Sequence, residues 1–97
     1  MGRQVYQKGS FKVYRVGHNY IVHNSKYVFD DSHTHVRTLN TAKKLIHCFH
    51  KKVIPKTFSD YLLISLTRVS DDVIYNSKIN SLINVRRQKG KKPKYIN

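Results

Sequence analysis

Four histidines lie in two close pairs, and imidazole is the side chain best suited to acid–base and metal chemistry near neutral pH. His33 and His35 alternate onto one face of a predicted strand, whereas His47 and His50 share one face of a predicted helix. Together they could hold zinc if the strand end met that helix, although their spacing matches no zinc-finger pattern. Two histidines beside a lysine could also cleave RNA by general acid–base catalysis. A small histidine-dependent nuclease is therefore one alternative, while we expect no metal and no other cofactor.

A second group of residues is basic and lies opposite the apolar face of the same predicted helix. No acid accompanies it, so no ion pair within the helix offsets the repulsion between its charges. Flexible lysines are well suited to following a phosphate backbone. The group could also be an ordinary solvated face, but the pattern favours a surface for nucleic acid or a partner, comprising Lys43, Lys44, His47, Lys51 and Lys52.

Further candidate contacts lie near both ends of the chain. Lys12 and Arg15 alternate with Phe11 and Tyr14 in a predicted strand, and such mixtures can stack bases beside phosphate ligands. In so small a domain, however, most of these aromatic side chains are expected in the core. At the C-terminus the predicted contacts are Arg86, Arg87, Lys89, Lys91, Lys92 and Lys94.

The overall charge points in the same direction as these groups. The 97 residues include 19 Lys and Arg against five Asp and no Glu, a formal net charge of +14. Self-repulsion of this size destabilises a compact state unless a polyanion compensates for it. Nucleic acid is the first candidate, followed by an acidic protein and an anionic membrane surface, whereas a generally basic surface would need no dedicated site.

Other signals exclude several classes of protein. No apolar run approaches the roughly 20 residues of a membrane span. Polar residues interrupt the stretch after Met1, so we expect no secretory signal. The single cysteine, Cys48, rules out an internal disulfide and lacks an acid partner for nucleophilic catalysis. Four scattered glycines form no phosphate-binding loop. We therefore expect a cytoplasmic protein with no membrane partner and, in preference to an enzyme, a binding protein.

These residues need a scaffold, which the hydrophobic pattern predicts to be an α+β domain. Residues 10–16 and 20–23 are typical of strands, residues 26–29 and 33–39 are candidates for two more, and turn signals separate them. This predicts a small antiparallel β-meander of three or four strands.

After Leu39 the apolar period becomes 3.6 and predicts three α-helices. The first is capped by Asn40 or Thr41, and its apolar face includes Val53. The second begins after Thr57 and is apolar nearly all round, so we expect it at the centre of the fold. Ser70 caps the third. Residues 1–90 then form a single domain, and residues 91–97 form a basic tail.

Five segments carry a resemblance to known sequences: SHTH (32–35), NTAKKLI (40–46), IPK (54–56), DYLLISL (60–66) and RVSDD (68–72). In these the chain resembles a group of short, uncharacterised proteins of low-GC Gram-positive bacteria and their mobile elements. The resemblance covers residues 11–85 and supplies no functional residues. Small proteins of such elements are often inhibitors of host defence, so it implies an inhibitor of a CRISPR-Cas effector as the most specific function.

The predictions combine into one main hypothesis and two alternatives. The main hypothesis is a basic binding protein that contacts nucleic acid or the nucleic-acid groove of a host ribonucleoprotein. The alternatives are the histidine-dependent nuclease and an inhibitor that docks on an acidic protein patch through the same lysines.

Overall fold

Four antiparallel strands form one sheet in the order β1-β2-β3-β4, and three helices follow them along the chain. The computed structural model describes residues 2–90, with side chains as far as Gln88. The elements are β1 (Arg3–Lys8), β2 (Phe11–Val16), β3 (Asn19–Asn24), β4 (His33–Val36), α1 (Leu39–Lys51), α2 (Asp60–Val69) and α3 (Val73–Gly90). The predicted α+β architecture, a meander followed by three helices, is confirmed.

Two glycines allow the first strands to turn back directly on one another. Gly9 and Gly17 have φ angles of 61° and 63°, a left-handed conformation that costs glycine little because it has no Cβ. They lie in the short turns that join β1 to β2 and β2 to β3. Tight turns of this kind fix the register of the antiparallel pairs.

The prediction of individual strands was wrong at two places. Strand β1 was not predicted, because its sequence is polar and five of its six positions are exposed, with a register shift between Gln4 and Tyr6. Residues 26–29 form no strand. They lead through a turn into a short 3-10 helix at Phe29–Asp31 instead, since the Tyr27 amide donates to the Asn24 carbonyl and the Asp31 amide to that of Val28.

The core lies between the helices and one face of the sheet. Alternation along the strands puts Phe11, Val13, Val22 and Val36 on this inner face, where all are at least 99 % buried. They pack against an apolar stripe of α1 and against the buried faces of α2 and α3; the helical residues are Ala42, Leu45, Ile46, Leu63, Leu66, Tyr75, Ile79 and Ile83. On the opposite, outer face of the sheet, the Phe29 ring of the short 3-10 helix stacks on His33.

Helix α1 begins and ends slightly before its predicted limits. Its cap is Thr38, whose hydroxyl accepts a hydrogen bond from the Thr41 amide, so neither Asn40 nor Thr41 caps it. At the other end Lys52 adopts a left-handed conformation with φ 56° and turns the chain away. Val53 is therefore exposed, although the sequence predicted it on the apolar face.

The two later helices also use caps next to the predicted ones. Ser59, and not Thr57, accepts a hydrogen bond from the third amide of α2. At the start of α3 the Asp72 carboxylate accepts a hydrogen bond from the Tyr75 amide. The Ser70 hydroxyl accepts a hydrogen bond from the Asp72 amide and so helps to position the Asp72 cap.

Helix α2 is buried on one side only. Leu63 and Leu66 have no exposed surface, but Tyr61 is 55 % exposed, which corrects the expectation of an all-round buried helix. Among the helices in residues 2–90, none combines the length and the apolar character needed to cross a membrane.

Candidate nucleic-acid interface

A groove of about 550 Å³ runs between α1 and the segment that joins it to α2. Its helix side carries Lys43, Lys44 and His47, all exposed, and its opposite wall is Pro55 and Phe58, both partly buried. The side chains recur along α1 at intervals of three and four residues, which brings them onto one face. We call this site the basic groove, lined by Asn40, Lys43, Lys44, His47, Cys48, Pro55 and Phe58.

The acids of the described residues lie elsewhere. Asp60, Asp71 and Asp72 each form an ion pair, with Arg86, Lys26 and Lys52 respectively. Helix α1 contains no acidic residue. Within residues 2–90 no acid lies within ion-pair distance of the lysines of the basic groove, so their charge is available to an external anion.

Lys43 also contacts the strand that the sequence did not predict. Its ammonium nitrogen lies 5.0 Å from the centre of the Tyr6 ring in β1, a cation–π arrangement that leaves the ammonium charged. The ring restrains the long side chain without neutralising it. Strand β1 therefore helps to position one of the groove cations.

Cys48 lies at the bottom of the basic groove and is 95 % buried. Burial raises the pKa of its thiol, and the nearby Lys44 charge opposes that shift without reversing it. A protonated, buried thiol is a poor nucleophile and a weakly polar wall. Cys48 is thus part of the apolar lining of the basic groove.

The cationic face continues past the groove to the end of α1. Lys51 is exposed one turn beyond His47. His50 lies beside the Phe11 and Phe49 rings at 5.4 and 5.8 Å, and its pKa is lowered first by burial and then by the charges of Lys8, Lys52 and His47. The lowered pKa favours the neutral form of His50 more than in an ordinary histidine.

Lys52 is placed differently from the other predicted contacts of α1. Its ammonium lies 3.3 Å from the Asp72 carboxylate and 3.3 Å from the centre of the Phe49 ring. The Tyr75 ring is 5.5 Å away. These contacts tie the end of α1 to the start of α3, so the charge of Lys52 has a role inside the fold.

Arg86 is likewise engaged within the molecule. Its guanidinium donates to the carbonyls of Lys56 and Phe58 at 2.6 and 2.7 Å and to the Asp60 carboxylate at 3.0 Å. One side chain of α3 thereby holds both the α1–α2 segment and the first residue of α2. Arg86 supports the wall of the basic groove and does not line it.

The remaining predicted contacts are dispersed. Arg15 is exposed and lies directly opposite Arg3 across the β1–β2 pair, while Lys12 is on the outer face of the sheet. Arg87 is exposed on α3. The side chain of Lys89, and the tail residues Lys91, Lys92 and Lys94, lie outside the described part of the chain.

The two histidine pairs do not meet. His33 and His35 point to the outer face of the sheet, because Thr34 and Val36 between and after them are buried on the inner face. Their ring centres are 5.2 Å apart, and Phe29 stacks on His33 at 4.0 Å. Helix α1 packs on the inner face, so its histidines lie on the other side of the sheet.

This separation removes the basis of the four-histidine site. In the described residues no group of three or more His, Cys, Asp or Glu side chains is arranged to hold a metal ion. The same separation leaves the strand histidines and the helix histidines unable to act on one phosphate. A histidine-dependent nuclease would therefore have to use one pair alone, either His33 with His35 or His47 with His50.

The aromatic residues of the sheet divide between the core and the outer face. Phe11 is buried, and Tyr6 and Tyr20 pack partly against the core, as expected for most of them. Tyr14 is partly exposed on the outer face. It lies in the same cross-strand row as His35, since both residues pair with Ile21 of β3. Cations are sparse there, so this face lacks the charge of the basic groove.

Sequence reasoning missed two groove residues that matter for its chemistry. Asn40 was considered only as a helix cap, yet it lies four residues before Lys44 and seven before His47, on the same helix face. That spacing was a usable signal. Phe58 was assigned to a helix core, and no local pattern indicates that the α1–α2 segment folds back to place it opposite α1.

Comparisons with known proteins add no constraint to this geometry. No family model, curated protein or solved structure matches the chain.

Proposed function

We propose that this protein is a non-enzymatic binding protein that grips nucleic acid, either free or in the nucleic-acid groove of a host ribonucleoprotein. The contact surface is the basic groove together with Lys51. The observation that carries the proposal is the contrast in pairing: among residues 2–90, Lys43 and Lys44 have no acidic neighbour, while Arg86 and Lys52 do. Cations that remain unpaired on one helix face can neutralise phosphates without first losing a partner.

The excess charge of the whole chain supports the same conclusion. With a net charge of +14, three described ion pairs offset little of the repulsion. Even on the sheet, Arg3 and Arg15 occupy directly opposite positions, where like charges are unfavourable. A bound polyanion would relieve both effects and stabilise the folded state.

The basic C-terminal residues extend this proposal on the basis of sequence alone. Arg87 is exposed near the end of α3. Residues 89–94 add four lysines in a short stretch. We assign them additional phosphate contacts, and truncation after Gly90 would remove those of Lys91, Lys92 and Lys94.

A more specific form of the proposal is an inhibitor that occupies the nucleic-acid groove of a CRISPR-Cas effector. It is supported by the charge and by the resemblance to proteins of mobile elements in residues 11–85. In this form the lysines of the basic groove bind the phosphates of the guide or target strand itself.

The test is capture from host lysate, with and without nuclease, at about 150 mM salt, where weak surface attraction is already screened. Recovery of nucleic acid that nuclease removes supports direct binding. Recovery of a ribonucleoprotein whose retention depends on its nucleic acid supports the inhibitor form. A protein that remains bound after complete nuclease digestion, and that free RNA and DNA do not displace, contradicts the proposal and favours docking on an acidic protein patch.

A further inference from the structure

The basic groove combines two kinds of chemistry, of which phosphate binding requires only one. Lys43 and Lys44 supply a cationic rim, and the His47 imidazole lies beside them. Beneath and opposite them lie the Cys48 thiol and the side chains of Pro55 and Phe58, which are apolar surfaces. A row of lysines on an exposed helix face, without an apolar wall, would suffice to bind a phosphate backbone. The apolar wall therefore points to an additional, flat and weakly polar part of the ligand.

We propose that the basic groove accepts one unpaired nucleotide, with its base against Phe58 and Pro55 and its phosphate against the lysines of α1. The natural ligand is then a single strand and not a duplex. This inference rests on the proposed function, because it specifies which nucleic acid the same site binds.

The dimensions and the chemistry of the groove fit such an occupant. Its volume of about 550 Å³ lies within the usual range for small-molecule sites. Aromatic rings bind unpaired bases by stacking, whatever the sequence, while lysines take the phosphates. The Asn40 side chain at the edge of the groove offers both a donor and an acceptor to the rim of a base.

A duplex could use only part of this site. Its bases are already stacked on one another and present edges, not faces, to a protein. It would reach the lysine rim but leave the Phe58 wall unused. The single strand gains both contacts, so the apolar wall acts as a selectivity device.

The wall is held in place before any ligand binds. Arg86 fixes the carbonyl groups of Lys56 and Phe58, and the Phe58 amide donates to the Pro55 carbonyl at 3.1 Å. A wall ordered in advance loses little entropy when the ligand enters. This is the contribution of Arg86 to binding, although it touches no ligand.

The experiment compares three fluorescent probes by anisotropy: a short single-stranded DNA, the same strand with abasic sites, and its duplex. For the unmodified protein we expect the intact single strand to bind about tenfold or more tightly than either other probe, since stacking contributes about 1–3 kcal/mol per base. Equal affinity for all three overturns the inference but leaves the proposed function standing. If none of the probes binds, both fail.

Two substitutions locate the base contact. Phe58→Leu keeps an apolar side chain but removes the ring. We expect it to lower the affinity for the intact strand about fivefold or more and to leave the affinity for the abasic strand unchanged. Phe29→Leu is the matched control, because Phe29 is a partly buried ring on the outer face of the sheet. Loss of base dependence in the Phe29 variant, with the Phe58 variant unaffected, overturns the assignment.

A measurement on the unmodified protein tests the inference without any substitution that could disturb the fold. A single strand carrying a photoreactive thiopyrimidine is bound, irradiated and digested, and the cross-linked peptide is identified by mass spectrometry. We expect base adducts within residues 40–58. Adducts found exclusively in other parts of the chain contradict base binding in the groove.

Discussion

The basic groove and the two ends of α3 both carry strong cations, but they use them in opposite ways. Near the C-terminal end of α3, Arg86 is 28 % exposed and meets Asp60 and two carbonyls, while Lys52 meets Asp72 at the start of α3. In the groove Lys43 and Lys44 have no acid within reach among residues 2–90. The comparison teaches that a net charge does not identify a binding surface, because some cations hold the fold together while others remain available. Substitutions in the two regions should therefore separate stability from binding.

The largest effect is expected at Arg86. Arg86→Ala leaves the Asp60 carboxylate and two carbonyls without their donor, and hydrogen bonds to charged groups contribute more than neutral ones. We expect a loss of about 2 kcal/mol in the free energy of unfolding, or roughly 10 °C in the midpoint of thermal unfolding. Arg87→Ala is the matched control at the next, exposed position, and its effect should stay within about 0.5 kcal/mol. Equal effects of the two would show that Arg86 holds nothing together.

A smaller and more diagnostic effect is expected at Lys52, where side chain and backbone act in opposite directions. Lys52→Ala loses the contacts with Asp72 and Phe49 and keeps the unfavourable left-handed conformation, so it should lower the free energy of unfolding by about 1 kcal/mol. Lys52→Gly loses the same contacts but relieves the backbone by a similar amount. Urea denaturation should place the Gly variant close to the unmodified protein. A Gly variant as unstable as the Ala variant would contradict this balance.

The smallest effects concern pH, and His50 and Asp72 should change the stability of the fold in separate pH ranges. Burial, followed by neighbouring positive charge, lowers the pKa of His50 in the folded state, so the unfolded chain binds its proton more readily. Stability from this group is complete above the ordinary value of 6.5 and is lost as the pH falls below it. The hydrogen bond from the Tyr75 amide is the main cause of the lowered pKa of Asp72, whose contribution is lost below 3.8.

Denaturation profiles of two variants check these ranges. His50→Gln should remove a decline between about pH 7 and about pH 5, whereas Asp72→Asn, which can still cap α3, should flatten the profile below about pH 4. The difference between each variant and the unmodified protein isolates one group from the other histidines and acids. Profiles that run parallel to that of the unmodified protein would contradict the two assignments.

The elements of the fold were largely predictable because each depends on a local pattern. The apolar spacing of Ala42, Leu45 and Ile46 predicts α1, and the alternation of Phe11 and Val13 predicts β2. Strand β1 was not predicted because an exposed edge strand can pair with its neighbour without any alternation of apolar residues. Residues 26–29 were wrongly predicted as a strand because their aromatic and β-branched side chains are typical of strands. In the structure, backbone hydrogen bonds hold this segment in a turn instead.

The candidate site was predictable only in part, because its residues come together from positions that are far apart in the sequence. The lysines of α1 were found from the helical period. Arg86 and Asp60 are 26 residues apart, so no local pattern shows that they pair, and the sequence counted Arg86 among the contacts. Phe58 became part of the site through the fold of the α1–α2 segment. The sequence thus predicts the types of residue in the interface but not which cations remain free.

The central claim is that the cations of the basic groove contact phosphates, and the salt dependence of binding tests it most directly. Dissociation constants for a single-stranded oligonucleotide are measured between about 50 and about 200 mM salt for the unmodified protein, Lys43→Ala/Lys44→Ala and, as a control on α3, Lys78→Ala. On a single strand each phosphate contact contributes about 0.7 units to the slope of log affinity against log salt. We predict that the double variant loses about 1.4 units of slope and keeps its thermal stability, while the control keeps its slope. An identical slope in all three proteins would contradict the account.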